Sequence, residues 1–171
     1  MTIRGCTLSA AAPVDVPDLL RLIKALAEYE RLSHLVAADV PALEDALFGE
    51  RPAVEAMIVR QDDQNRSAIA FALFFTNFST FLGRRGLWLE DLFVMPEHRG
   101  RGIGKWLLTS LVATARARGC GRVEWSVLDW NAPAIGFYER LGATVLPEWR
   151  IARVTGAALA DFGVASGPAP D

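Results

Sequence analysis

Three glycines and three basic side chains crowd the turn of EDLFVMPEHRGRGIGKWLL, residues 90–108, between one apolar stretch and the next. Gly100, Gly102 and Gly104 leave the amides of residues 100–105 without bulky neighbours. A helix opening at Ile103 would align the positive end of its dipole with them. Such a turn cradles an anion and suits a pyrophosphate, to which Arg99 and Arg101 would add charge-assisted donors. Taken alone, the same glycines would also serve a tight strand-to-helix connection. Two carboxylates stand just upstream. Glu90 and Asp91 are neighbours on a strand, so their side chains are expected on opposite faces, and they form a dyad only if a bulge turns one of them. Acids in so apolar a strand need a partner or water, and for Asp91 the expectation is an inter-strand ion pair.

Two nucleotide motifs are excluded. A phosphate-binding P-loop would need glycine at 99 and a hydroxyl at 106, where Arg99 and Trp106 stand. A dinucleotide fingerprint would need G-x-G-x-x-G, whereas the spacing here is G-x-G-x-G, with no early strand–helix–strand unit to hold it.

Positioning this turn takes a strand before it and a helix after it. RGLWLEDLFV (85–94) is read as the strand, and Ile103 to about Arg118 as the helix, with Leu107, Leu108 and Leu111 as its inner stripe. Upstream, TIRGCTLSAA is a short first strand. Asp15, Pro17 and Asp18 open a helix that carries Leu19, Leu22, Ile23 and Leu26 to about Tyr29. A second helix covers Pro41 to Phe48, opened by Asp39 and closed at Gly49. VEAMIVR (54–60) and SAIAFALFFTNF (67–78) are consecutive strands. Downstream follow a strand RVEWSVL (122–128), a short helix within NAPAIGFYERLG (131–142) with Asn131 as its cap, and a last strand WRIARVT (149–155). Residues 1–162 are read as one domain of mixed α/β class, and GVASGPAPD (163–171) as a disordered tail.

Composition narrows the function. The chain has 171 residues, 51% of them apolar and 22% charged, which is globular rather than disordered composition. A net charge of −2 argues against a dedicated nucleic-acid binder. The longest apolar run, AIAFALFF, is too short for a membrane span, and the first residues carry no secretory pattern. Cys6 and Cys120 read as free thiols, and they and His34 and His98 lack metal-ligand spacing. The expectation is a cytoplasmic protein without metal, nucleic-acid or membrane partner.

The pattern R-x-x-G-x-G after a strand ending LFVMPEHRG resembles the coenzyme A pyrophosphate loop of the GNAT acetyltransferases. LLRLIKALAEYE, FGERP, LWLEDLFVMPEHRGRGIGKWLL and WNAPAIGFYERLGA together resemble the spermidine/spermine (diamine) acetyltransferase branch, in the same order and over most of residues 3–155. The resemblance implies the GNAT acyl-CoA N-acyltransferase fold, a mixed, mostly antiparallel sheet splayed at two central parallel strands and flanked by helices. It also implies acetyl-CoA as co-substrate and a homodimer.

Residue by residue, the resemblance assigns the pyrophosphate to Arg99, Gly100, Arg101, Gly102, Ile103, Gly104 and Lys105. The pantetheine arm goes to the backbone of Leu92, Phe93 and Val94, and further cofactor contacts to Asn131 and Pro133. Glu90 handles substrate and proton. Tyr29 and Glu30 lie beside the acceptor amine, with Glu124, Trp125 and Ser126 on the other splayed strand and Trp149 near the amine channel. The segment before Trp149 is shorter than the family's. Tyr138 is the candidate acid, because a phenol of pKa near ~10 is protonated at neutral pH and can donate to a thiolate of pKa near ~8.5. A carboxylate that binds an ammonium also stabilises its unreactive form, so the rate is expected to climb towards alkaline pH. The implied activity is direct acetyl transfer to a primary amine of a polyamine, diamine or lysine-like amino acid. Protein lysine or N-terminal acetylation, and non-catalytic acyl-CoA sensing, stay open.

Overall fold

The unbroken apolar run at residues 68–75 departs from strict alternation because its strand is covered on both faces. In the computed structural model, which describes residues 2–163, this run lies in β3 (Ala68–Ser79), and every side chain from Ala68 to Phe74 is buried. The chain divides into two compact units after Leu128.

In the first unit, β1 (Cys6–Ala10), β2 (Glu55–Gln61), β3, β4 (Arg84–Val94) and β5 (Val123–Trp125) form one sheet in the order β1-β2-β3-β4-β5. The first four strands are antiparallel neighbours, and β5 joins β4 in parallel. One face carries α1 (Val16–Tyr29) and α2 (Val40–Phe48). Val16, Leu19, Leu22, Leu43 and Leu47 pack there on Ala56, Ile58, Phe71, Leu73 and Phe93. The other face carries α3 (Ile103–Ala117), whose Ile103, Leu107, Leu108 and Leu111 are buried. Burying one such side chain contributes about 1.5–3 kcal/mol, so these two layers fix where the β4–α3 turn emerges. Asp39 caps α2 as expected, accepting from the Ala42 amide at 2.9 Å.

The second unit holds α4 (Ala132–Arg140) and the four-residue α5 (Ala157–Ala160). Asn131 caps α4 through the Ala134 amide at 3.3 Å, and Gly142 ends the turn after it with φ +91°.

Two strand expectations are corrected. RVEWSVL contributes only Val123–Trp125, and that strand is the end of the five-stranded order rather than a central one. WRIARVT forms no strand, and Trp149 and Ile151 stand 70% and 68% exposed. Alternation specifies a strand only where a neighbour takes up its ladder, and none does so for this segment among the described residues. The tail expectation falls, beyond Gly163, outside the described residues. No helix among those residues is long and apolar enough to cross a membrane.

Candidate active site

The parallel ladder between β4 and β5 is short. Leu87 pairs with Val123, Trp88 with Glu124 and Leu89 with Trp125, and there the pairing ends while β4 runs on to Val94. Among the described residues, 90–94 thus have β3 on one edge and no strand on the other. Which backbone groups face that second edge follows from the alternation of an antiparallel ladder. Met95 donates to the Ile69 carbonyl at 2.9 Å, so Phe93 and Asp91 turn their backbone groups to β3, and Leu92 and Val94 turn theirs outward. The Val94 carbonyl bears this out by accepting from Arg99 Nε at 3.0 Å. Phe93 is therefore corrected as a backbone partner for a ligand arm. Its ladder groups belong to β3, and its ring is part of the core.

The glycine turn follows a single 3-10 turn at Pro96–His98. Gly100 and Gly102 take φ +75° and +83°, which glycine adopts without steric cost, and Gly102 caps α3. The first helical bond runs from the Trp106 amide to the Gly102 carbonyl at 3.0 Å. Among the described residues, no protein acceptor takes the amides of residues 100–105. Six donors thus gather at a helix mouth, the arrangement that accepts an anion. Ile103 is buried and Lys105 exposed, so Ile103 offers only its amide. The Arg101 side chain turns aside, with Nη1 3.2 Å from His98 Nδ1 and Nη2 donating to Cys6 Sγ at 3.6 Å. Its share in the cradle is its backbone.

The carboxylates depart from the expected geometry. Leu73 pairs with Asp91 but Phe74 pairs with Leu89, so Glu90 is the extra residue of a β-bulge. Leu73 belongs to the core under α1 and α2, which places Asp91 on that face. Glu90 joins it there. Its Oε2 accepts from Trp88 Nε1 at 2.9 Å, and Trp88 pairs with Phe75, two residues along the same face from Leu73. Burial first, then the charges of Glu90 and Glu30, push the Asp91 carboxyl up to about 6. Burial also raises Glu30. Asp91 has no ion-pair partner among the described residues, so the expected inter-strand ion pair is corrected to a group of three carboxylates without a cation. Sequence reasoning undervalued Asp91. The available signal was two adjacent acids in an apolar strand.

Tyr29 and Glu30 end α1, and the next residue, Arg31, takes φ +62°, a left-handed conformation rare for a residue other than glycine. Glu124 is half-buried and already engaged, accepting from Asn77 Nδ2 at 3.2 Å and pairing with Arg122 Nε at 2.6 Å. That leaves it less suited to a substrate amine than the open trio. Trp125 ends β5 half-buried, and Ser126 lies beyond the strand, exposed.

In the second unit, Asn131 is buried at the head of α4 and Pro133 is exposed in its first turn. Tyr138 is half-buried in the second turn, its ring 5.2 Å from that of Phe137 at 57°. Trp149 stands largely in solvent.

A strand opened along one edge, ending in a glycine cradle at a helix mouth, is the geometry expected from the resemblance. The model of the Acetyltransferase (GNAT) family matches residues 19–143. The chain belongs to the GNAT family. Its enzyme class is therefore that of an N-acetyltransferase, and its relatives include the diamine acetyltransferase branch that its motifs resemble. An L-ornithine N5-acetyltransferase of Arabidopsis thaliana is 36% identical, over 87% of this chain and 84% of that protein. A thialysine N-epsilon-acetyltransferase of Mus musculus is 35% identical, over 86% and 91%. Among solved structures, an integron cassette protein of Vibrio cholerae superposes with a TM-score of 0.77 at 24% identity, covering 94% of this chain and 99% of that one, which shows the shared fold.

Proposed function

We propose that this GNAT enzyme acetylates, from acetyl-CoA and by direct attack, a primary amine of a small molecule that carries a second charged group. A polyamine, a diamine or a lysine-like amino acid meets that description. One observation carries the reading: a single strand, β4, bears both an open edge leading into the glycine cradle and a bulge that sets Glu90 and Asp91 on one face, where the charge of Glu30 also acts on Asp91. An anion cradle and an unneutralised carboxylate group at two stations of one strand suit a phosphate-bearing donor and a cationic acceptor. The named substrates of the relatives, ornithine and thialysine, are diamino acids and agree with it. Residues 1–162 are taken as one catalytic domain, in line with a family match that continues through α4.

Acetyl-CoA, when bound, supplies the activated acetyl thioester. The amides of residues 100–105 would hold its pyrophosphate, and the outward groups of Leu92 and Val94 would pair with its arm as an added strand. An outward amide on the same edge is the natural donor to the developing oxyanion. Glu90 and Asp91 would hold the ammonium and, through water, receive its proton. The phenol of Tyr138 would protonate the leaving sulfur, a role that rests on the resemblance and on the pKa order of phenol and thiol. The homodimer implied by the resemblance and the cytoplasmic location expected from the sequence are retained as part of the proposal.

Thiol release from acetyl-CoA tests it against spermidine, putrescine, lysine, ornithine, thialysine, an aminoglycoside and a histone-tail peptide. Strong turnover on one small amine is expected, with Tyr138→Phe lowering kcat about 10²-fold and Glu90→Gln lowering kcat/KM. Turnover confined to the peptide would replace the small-molecule reading with a protein substrate. Binding of acetyl-CoA without turnover of any amine would leave a sensor. Because the trio favours the protonated amine, kcat/KM is expected to rise from neutral to alkaline pH, and a flat profile would reject that account.

A further inference from the structure

We propose that Arg122 decides which amines the enzyme accepts, by holding the carboxylate of a diamino acid whose side-chain amine lies at Glu90 and Asp91. The proposal deepens the acetyltransferase reading and rests on it. Register puts the residues concerned on one face of the sheet. Leu73, Phe75 and Asn77 alternate along that face of β3, opposite Asp91, Trp88 and Gly86, and Glu124 pairs with Trp88 from the other side. Arg122 stands two residues before Glu124 and shares the face. A Cβ on Gly86 would come within 2.5 Å of Asn77 Oδ1 and 3.2 Å of Arg122 Cγ. This glycine inside a long strand thus admits one side chain from each neighbour.

Two buried side-chain atoms lack a hydrogen-bond partner at this place, Asn77 Oδ1 and Arg122 Nε. The second lies 2.6 Å from Glu124 Oε2, close enough for an ion pair, but its N–H is not aimed at that oxygen. No acceptor among the described residues takes the Arg122 Nη atoms. Buried polar groups are normally matched, so a free donor fork beside a free acceptor points to a ligand that carries both a carboxylate and an ammonium. The Arg122 and Glu124 side chains are 37% and 30% exposed, which leaves them within its reach. One step along the face towards Asp91 come the half-buried rings of Phe75 and Trp88, 6.5 Å apart, an apolar floor for methylene groups. At ~3.3 Å per residue and ~4.8 Å between strands, the backbones of Glu124 and Asp91 are about 8 Å apart, roughly the reach of ornithine or lysine. The guanidinium draws a carboxylate onto its flat edge and repels a second ammonium. It therefore favours a diamino acid over a polyamine or a simple diamine.

Thiol release at saturating acetyl-CoA tests this with three amines. Putrescine is ornithine without its carboxylate, and δ-aminovalerate is ornithine without its α-amino group. In the wild type, kcat/KM for ornithine is expected to exceed that for putrescine at least about ten-fold, with δ-aminovalerate between them. Arg122→Met removes the fork and leaves Glu124 without its cation, so the ornithine-to-putrescine ratio should fall below one, chiefly through KM. Arg122→Lys keeps the charge but not the flat edge and should retain only part of the ratio. A merely structural role at the end of the sheet would lower all three substrates alike, and an unchanged ratio in Arg122→Met overturns the proposal. Where that variant does not fold, Arg122→Lys decides, and a ratio within about two-fold of the wild type's overturns it. If the wild type turns over putrescine or spermidine as well as ornithine, this inference alone fails. If no free amine turns over, the small-amine reading fails and takes this inference with it.

Discussion

The two ends of α1 treat their acids differently. At its start, Asp15 and Asp18 share the guanidinium of Arg60, at 2.5 and 2.8 Å, and Arg21 reaches Asp18 at 3.2 Å. Asp15 also accepts from the Ala12 amide at 2.8 Å, so the oxygens of a nearly buried carboxylate are satisfied by the chain itself. At its end, the charges of Glu90 and Glu30 act on Asp91, and none of the three has an ion-pair partner among the described residues. One end is internally neutral and serves the fold. The other carries charge the chain does not cancel, and its natural complement is a cation from outside. Acids are thus informative when read with their partners: a paired cluster reports on stability, an unpaired one on a ligand.

Breaking the paired end should have the larger effect on folding. Arg60→Met leaves Asp15 buried beside an apolar chain and is expected to cost about 3 kcal/mol, which lowers Tm by roughly 6–12 °C. Chemical and thermal unfolding would measure it. A loss under about 1 kcal/mol would mean that the cluster is decoration on a helix held by its leucines.

The unpaired end should respond in the opposite sense. The Asp91 carboxyl titrates at about 6, above its ordinary 3.8, so its contribution to stability is present below that ordinary value and lost as pH rises through 6. Asp91→Asn is therefore expected to stabilise the protein at pH 8 by on the order of 2 kcal/mol and to leave it unchanged near pH 3. It should also weaken amine turnover. Melting curves at the two pH values decide, and an equal gain at both would show that charge is not the cause.

The smallest signal sharpens the contrast. A cation seated among the trio returns Asp91 towards its ordinary value, so thialysine binding should release up to about half a proton per site near pH 6 and almost none at pH 8. Calorimetry in buffers of different ionisation enthalpy reads this directly. Proton uptake at pH 6 would place the amine elsewhere.

Much of this arrangement is legible in the residues, because the signals are local. Asp39 and Asn131 cap the helices their spacing announces, and Gly100 and Gly102 take the positive φ that a bare-amide turn needs. The leucine stripe of α3 is buried as its periodicity implies. What escapes is decided between distant segments. Nothing in Leu89-Glu90-Asp91 marks a bulge, since no glycine is present, and only the offset between Leu73–Asp91 and Phe74–Leu89 reveals it. Strict alternation therefore misplaces Asp91 relative to Glu90. The same non-local dependence makes RVEWSVL and WRIARVT read as full strands, though one keeps three residues of ladder and the other none. Glu124 reads as a lining residue because its engagement with Asn77 and Arg122 involves a different strand and the residue just before its own.

The bulge has a consequence for length changes in the gene. Leu89 and Asp91 already sit on opposite faces, as consecutive residues of a regular strand would. Loss of the single codon for Glu90 would join them into an uninterrupted ladder with every other side chain of β4 on its present face. For the sheet, residue 90 is a removable insertion, and for the proposed chemistry it is a central carboxylate. Deletion there, more cleanly than any substitution, would separate what the strand needs to fold from what it carries in order to act.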